Sequence, residues 1–226
     1  MADFDPGIGH GATLALDTSV VINLHASGYG KEILSALPFN LVVSRIVFDE
    51  LHRQSNRSSG ERDFLGNAHK AGLIERIEMN DEEYEFFAKL VVVPPTLDDG
   101  EAATIAIALS RNFHPVVDER KGRARASALM TTRAPAWSLN LVGHPAVADR
   151  LGESIATEAL YHALRRGRMR IAPKHADKII SLIGIELASQ CTCLPGYKER
   201  FQTHTKPPTK DAKSLPHLSE ETAPGD

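Results

Sequence analysis

LDDGEAATIAIALSRNFHPVVDERKGRARA, residues Leu97 to Ala126, sets two acidic clusters against two apolar elements. Asp98, Asp99 and Glu101 precede a helical run in which Ile105, Ile107, Ala108 and Leu109 cover much of the circumference. Such a helix is enclosed on most sides, so it belongs at the centre of the fold. His114–Val117 reads as a short buried strand, and Asp118 and Glu119 then open a basic helix over Glu119–Met130. Helix, strand, acid, helix is the repeating unit of a parallel sheet covered by helices.

The same unit opens the chain. Ala12–Leu16 is a strand that runs into Asp17, Thr18 and Ser19, after which Val20, Val21 and Leu24 continue at helical spacing. Leu41–Val43 is a second strand, with Ser44 placed to cap a helix over Arg45–Gln54 that carries Glu50 in its second turn. A polar loop spans Gln54–Gly60, a helix Glu61–Lys70, an outer strand Leu73–Ile77 and an acid-capped helix Asp81–Leu90. Trp137, Leu139 and Leu141 alternate with Ser138 and Asn140, which predicts a half-exposed edge strand. Helices over Glu153–Arg165 and His175–Ser189 close the fold. The expectation is a three-layer α/β/α sandwich on a mainly parallel sheet of about five strands. A flexible leader is expected at residues 1–11, the folded domain at 12–189 and a disordered tail at 190–226.

Composition narrows the classes. No apolar run approaches the ~18 residues of a membrane span. MADFDPGIGHG lacks the basic n-region of a secretory signal. Cys191 and Cys193 are the only cysteines, too few for a disulfide framework or a zinc site, so a reducing cytoplasm is expected. Gly7, Gly9 and Gly11 precede the first strand, whereas a phosphate-binding glycine loop follows one. The formal net charge is −3, from 26 basic and 29 acidic residues. Setting aside four acids as ligands leaves the remainder one charge positive. Net charge therefore decides nothing about nucleic acid.

Open α/β sheets bind ligands outside the carboxyl ends of their strands, where the strand order reverses. Asp17 and Asp118 fall at that edge, Glu101 starts a helix that can face it, and Glu50 reaches it from a second helical turn. Taken singly, Asp17 and Asp118 read equally well as helix caps, Asp98 and Glu101 as a capping box, and Glu50 as a solvated residue. Taken together, four converging carboxylates repel unless a hard divalent cation such as Mg²⁺ or Mn²⁺ joins them. Such an ion can activate water and neutralise a phosphate. A phosphoacceptor receiver domain is excluded because Asp17 stands alone at its strand end. A phosphatase of the Asp-x-Asp type is excluded because residue 19 is serine.

Four segments carry a family resemblance. Leu16-Asp17-Thr18-Ser19-Val20-Val21 resembles the opening motif of PIN-domain nucleases, and Ser44–Leu51 (SRIVFDEL) is similar to their second motif. Asp99–Ala106 (DGEAATIA) and Val117–Arg123 (VDERKGR) are similar to the third and fourth, closest to the toxins of bacterial and archaeal toxin–antitoxin modules of the VapC kind. The resemblance implies that Asp17, Glu50, Glu101 and Asp118 are the catalytic, metal-binding carboxylates for one or two Mg²⁺ or Mn²⁺ ions. Thr18, Ser19, Asp99 and Glu119 would support them, and Arg120, Lys121, Arg123 and Arg125 would bind nucleic acid, with Arg123 either touching phosphate or buttressing the acids. It implies an endoribonuclease cutting single-stranded or structured RNA, with RNA as substrate and, for a toxin, an antitoxin protein as partner. A homodimer is compatible with this and a membrane is not required. The alternative is a non-catalytic PIN-fold RNA-binding or regulatory scaffold.

Overall fold

Four short strands position everything that follows. In the computed structural model, which describes residues 4–53 and 59–202, the order of elements begins β1 (Thr13–Leu16), α1 (Thr18–Ala26), α2 (Gly30–Ala36), β2 (Asn40–Ser44), α3 (Arg45–Arg53) and α4 (Ser59–Lys70). It continues with β3 (Glu75–Ile77), α5 (Asp81–Val92), α6 (Asp99–Ser110), β4 (His114–Val116) and α7 (Arg120–Leu129). The closing part holds α8 (Ser138–Val142), α9 (Pro145–Leu151), α10 (Glu153–Arg165), α11 (Ala176–Ile183), α12 (Ile185–Ala188) and α13 (Tyr197–Phe201). The strands are all parallel in the order β3-β2-β1-β4, with helices on both faces. The order reverses between β1 and β4, so the binding edge lies where Asp17 leaves β1 and Asp118 follows β4.

Side-chain alternation along the strands divides the core. Leu14, Leu16, Leu41, Val43 and Val116 point into the larger cluster, shared with α1 and the closing helices. Ala15 and Val42 point the other way, onto Ala103, Ile107 and Ala108 of α6. From Gly100 to Ala108 every residue of α6 is buried, as expected of the central helix. Ile105 and Ile107 are fully enclosed, each stabilising the fold by roughly 1.5–3 kcal/mol.

Four expectations are corrected. The sheet has four strands rather than five, because Trp137–Leu141 is not an edge strand. Ala136 makes a single parallel bridge to Val116, and the chain then turns into α8, where Ser138, Leu139, Leu141 and Val142 are all buried. The Trp137 N–H donates to Asn140 Oδ1 at 2.8 Å and starts the turn. So short a segment, with only Trp137 and Asn140 partly exposed, buries its apolar residues at either spacing, so alternation there does not specify a strand. Second, the leader is anchored: Phe4 is in the core, and its carbonyl accepts from Asn140 Nδ2 at 2.8 Å. Third, order continues past residue 190, with Cys191 and Leu194 in the core and α13 beyond them. Fourth, the helix expected over His175–Ser189 breaks at Gly184, whose φ of 82° only glycine adopts readily. The polar loop at 54–58 and the tail at 203–226 lie outside the described residues. Among the described residues no helix is long and apolar enough to cross a membrane.

Candidate active site

β1 delivers Asp17 and α1 begins at once. Asp17 occupies the cap position of α1, yet its side chain makes no capping bond. Its Oδ2 accepts from Ser19 Oγ at 2.8 Å, and its backbone N–H donates to Val116 O across the reversal. Capping therefore does not account for this aspartate. Thr18 Oγ1 donates to Glu50 Oε2 at 2.6 Å, which ties the second turn of α3 to the end of β1.

Gly100, in the first turn of α6, explains how Glu101 arrives there. A Cβ at residue 100 would stand 2.6 Å from Thr18 Oγ1, 2.7 Å from Glu50 Oε2 and 2.9 Å from Asp17 Oδ1. Only a glycine lets the backbone of α6 close on those oxygens. Gly122 in α7 performs the same service from the other side, since a Cβ there would lie 2.7 Å from Glu101 Oε1. Glu101 is 5 % exposed, and its Oε1 is buried without a hydrogen-bond partner among the described residues. Asp98 stands at the cap of α6 without a side-chain capping bond, so the capping box expected of Asp98 and Glu101 is not closed.

Asp118 is held differently. It is 3 % exposed; its Oδ1 accepts from the Ser138 N–H at 2.8 Å, and its Oδ2 from Ser138 Oγ at 2.6 Å and Asn23 Nδ2 at 2.7 Å. Neither Asn23 nor Ser138 was singled out from the sequence. Asn23 is a polar residue between Ile22 and Leu24 on a core helix, and that is the signal that could have marked it. Ser138 carries no comparable signal, because the alternation places it on the outward face of a strand.

Electrostatics follow from this burial. Desolvation pushes the Asp17 carboxyl up to about 7; the Ser19 hydroxyl and Thr18 N–H oppose the rise, and Glu50 and Asp118 add to it. Desolvation likewise lifts Glu101 to about 7, reinforced by Asp17, Asp98 and Glu119. Asp118 is raised by desolvation against the bonds from Ser138 and Asn23. Asp17 and Glu101 thus resist ionising together, whereas the charge of Arg123 partly offsets the rise at Asp118.

The cleft that Asp17 and Glu101 border holds about 150 Å³ and is lined by Asp17, Thr18, Ser19, Glu50, Glu101 and Glu119, among others. Asp118 borders neighbouring cavities instead. Among the described residues no three His, Cys, Asp or Glu side chains stand close enough together to hold an ion as they are placed. The carboxylates ring the crevice rather than meeting at a point. An oxygen-only donor set with one orphaned buried oxygen nevertheless fits the chemistry of a hard divalent cation that keeps part of its water shell.

The remaining predicted residues separate. Ser19 and Thr18 each bind one of the carboxylates. Glu119 lines the cleft and pairs with Arg170 at 2.7 Å, whereas Asp99 is exposed, facing Arg53 at 4.0 Å. Arg120 and Lys121 are exposed. Arg123 is a buttress: its Nη1 donates to the Val117, Pro135 and Ala136 carbonyls at 3.1–3.3 Å, and its guanidinium sits 3.5 Å from the centroid of the Trp137 ring. Arg125 is half-buried, with its Nε enclosed.

A family model described as a PIN domain matches residues 13–184, from the start of β1 through α11 and so most of the chain. No match was found among curated proteins or among solved structures.

Proposed function

Since the chain belongs to the PIN-domain family, with its nuclease-type fold, we propose that it is a divalent-metal-dependent endoribonuclease and that Asp17, Glu50, Glu101 and Asp118 form its catalytic centre. The observation that carries this is the group of buried acids Asp17, Glu101 and Asp118 at the reversal of strand order, each raised in pKa even though the Arg123 charge opposes the rise at Asp118. Asp17 and Glu101 would hold the Mg²⁺ or Mn²⁺, with Glu50 and Asp118 beside them. When bound, the ion supplies Lewis-acid activation of water and neutralises charge developing on the phosphate. Ser19 and Thr18 orient Asp17 and Glu50, while Ser138 and Asn23 fix Asp118. Arg120 and Lys121 lie exposed at the start of α7 and would hold the RNA backbone, so binding weakens as salt rises. As a toxin of the VapC kind, the protein would be inhibited by an antitoxin segment occupying the acidic crevice.

A second reading, a non-catalytic RNA-binding scaffold, is favoured by the absence of a converged ion site among the described residues. Incubating a labelled single-stranded RNA with the purified chain separates the two. The nuclease reading expects cleavage with Mn²⁺ or Mg²⁺ that EDTA and Asp17→Asn each abolish. RNA that binds but stays intact under every metal condition would establish the scaffold instead.

A further inference from the structure

Asp118 also borders a cavity of about 400 Å³, against about 150 Å³ for the acidic cleft, and its walls differ in kind. Trp137, Ile171 and Pro173 supply apolar surface, and Arg120 and Arg170 supply positive charge. We propose that this slot receives one unstacked nucleobase of a single-stranded RNA, with the adjoining phosphates held by Arg120 and Arg170. The proposal rests on the nuclease reading for the identity of the ligand.

The slot falls within the ~300–1,000 Å³ typical of ligand pockets. Its central ring is held in place before any ligand arrives. The Arg123 guanidinium lies 3.5 Å from the Trp137 ring centroid, and three backbone carbonyls tie that guanidinium down. Arg123 covers one face of that ring and lines the slot itself, so the planar surface presented there is the fixed Arg123–Trp137 stack, available at little entropic cost. Flat apolar surface with guanidinium groups nearby is the chemistry that takes unstacked bases and their phosphates. A purely apolar ligand would leave the exposed Arg120 at the slot unused. Position completes the argument: Asp118 borders the slot, Glu119 lines the acidic cleft, and Arg170 reaches Glu119 at 2.7 Å. A base seated in the slot therefore carries its neighbouring phosphodiester towards the acids.

Trp137 is the only tryptophan of the chain, so intrinsic emission reads the slot directly. The full chain is titrated in EDTA, where it does not cut, with a short single-stranded RNA and with an abasic ribose-phosphate oligomer of equal length. The RNA is expected to quench the emission; the abasic oligomer is expected not to, and to bind about ten-fold more weakly. Arg120→Ala lowers affinity for both ligands and flattens the salt dependence, but keeps the difference between them. Trp137→Leu removes that difference, and Trp137→Phe retains it in an anisotropy assay. The wild-type titration needs no variant to fold. Absence of quenching by RNA, or equal quenching by the abasic oligomer, overturns the proposal, as it would if another part of the chain filled the slot. Loss of the slot with Mn²⁺-dependent cleavage intact leaves the nuclease reading standing. Base-dependent quenching without any cleavage leaves the slot and removes the nuclease.

Discussion

Glu83 and Glu101 occupy the same position, third in the first turn, of two helices that pack against each other, and they meet opposite fates. Glu83 is fully buried and fully answered. Asn80 and Glu83 close a capping box, and Arg111 donates to both carboxylate oxygens of Glu83 at 2.6 and 2.8 Å. Burial alone would raise its pKa, but the bonds from Arg111 and the Asn80 N–H outweigh burial and lower it. Glu101 is nearly as buried, faces an unreciprocated cap, leaves Oε1 unpartnered among the described residues and rises to about 7. One glutamate stabilises the fold with a cation from its own chain. The other has no such cation: its Oε1 is without a hydrogen-bond partner among the described residues, and a Cβ at Gly122 would crowd that oxygen at 2.7 Å.

The widest expected separation is in activity. Glu101→Gln lowers RNA cleavage by on the order of 10²–10³ in initial rate, as for removal of a preorganised electrostatic group. Glu83→Gln leaves the rate per folded molecule unchanged. Equal losses in the two variants would erase the distinction.

Stability is expected to invert that order. Glu83→Gln strands the Arg111 guanidinium, which is only 30 % exposed, and costs about 3 kcal/mol in urea unfolding. Glu101→Gln, measured in EDTA, is neutral or stabilising because it relieves repulsion with Asp17. A Glu101→Gln protein as unstable as Glu83→Gln would make Glu101 an ordinary structural residue.

Dependence on pH sharpens the contrast further. Without metal, Asp17 and Glu101 keep their protons to about pH 7 in the folded state and lose them near 3.8 and 4.5 when unfolded. The folded state thus binds more protons between roughly pH 4 and 7, and their contribution to stability grows as pH falls through that window. Glu83, with its pKa lowered, contributes above its unfolded value of 4.5 and loses that contribution as pH falls below it. Burial lowers the pKa of His114, His144 and His175, which opposes the trend of the acids, so the readout is wild type against the Asp17→Asn/Glu101→Gln double variant. The double variant should lose stability relative to wild type as pH drops from 7 to 5. Parallel curves would contradict the raised values.

The smallest expected effect is at Ser138. Ser138→Ala removes one of three bonds to Asp118 and costs about 1 kcal/mol, because the backbone N–H still donates.

What was legible in the sequence follows the same division. β1 into Asp17, the enclosed α6 and the span of α10 declare themselves through local periodicity, and the first two place Asp17 and Glu101. The support around them does not. The partners of Asp118 come from Asn23 and Ser138, 95 and 20 residues away, and Arg111 reaches Glu83 over 28. Such pairings exist only once the helices pack. Asn80-x-x-Glu83 and Asp98-x-x-Glu101 look alike as strings, and only the three-dimensional supply of cations separates them. The sequence reading does not extend to α2 and α9, and the alternation at Trp137–Leu141 does not make a strand because packing, not pattern, decides so short a segment.

Direct Mn²⁺ binding, followed by electron paramagnetic resonance of the free ion at neutral pH, tests the central claim without any substrate. Wild type and Glu83→Gln should both deplete the free-ion signal, while the Asp17→Asn/Glu101→Gln protein should leave it at the buffer level. Depletion that survives in the double variant, or none in the wild type, would contradict the assignment of these buried acids to a metal.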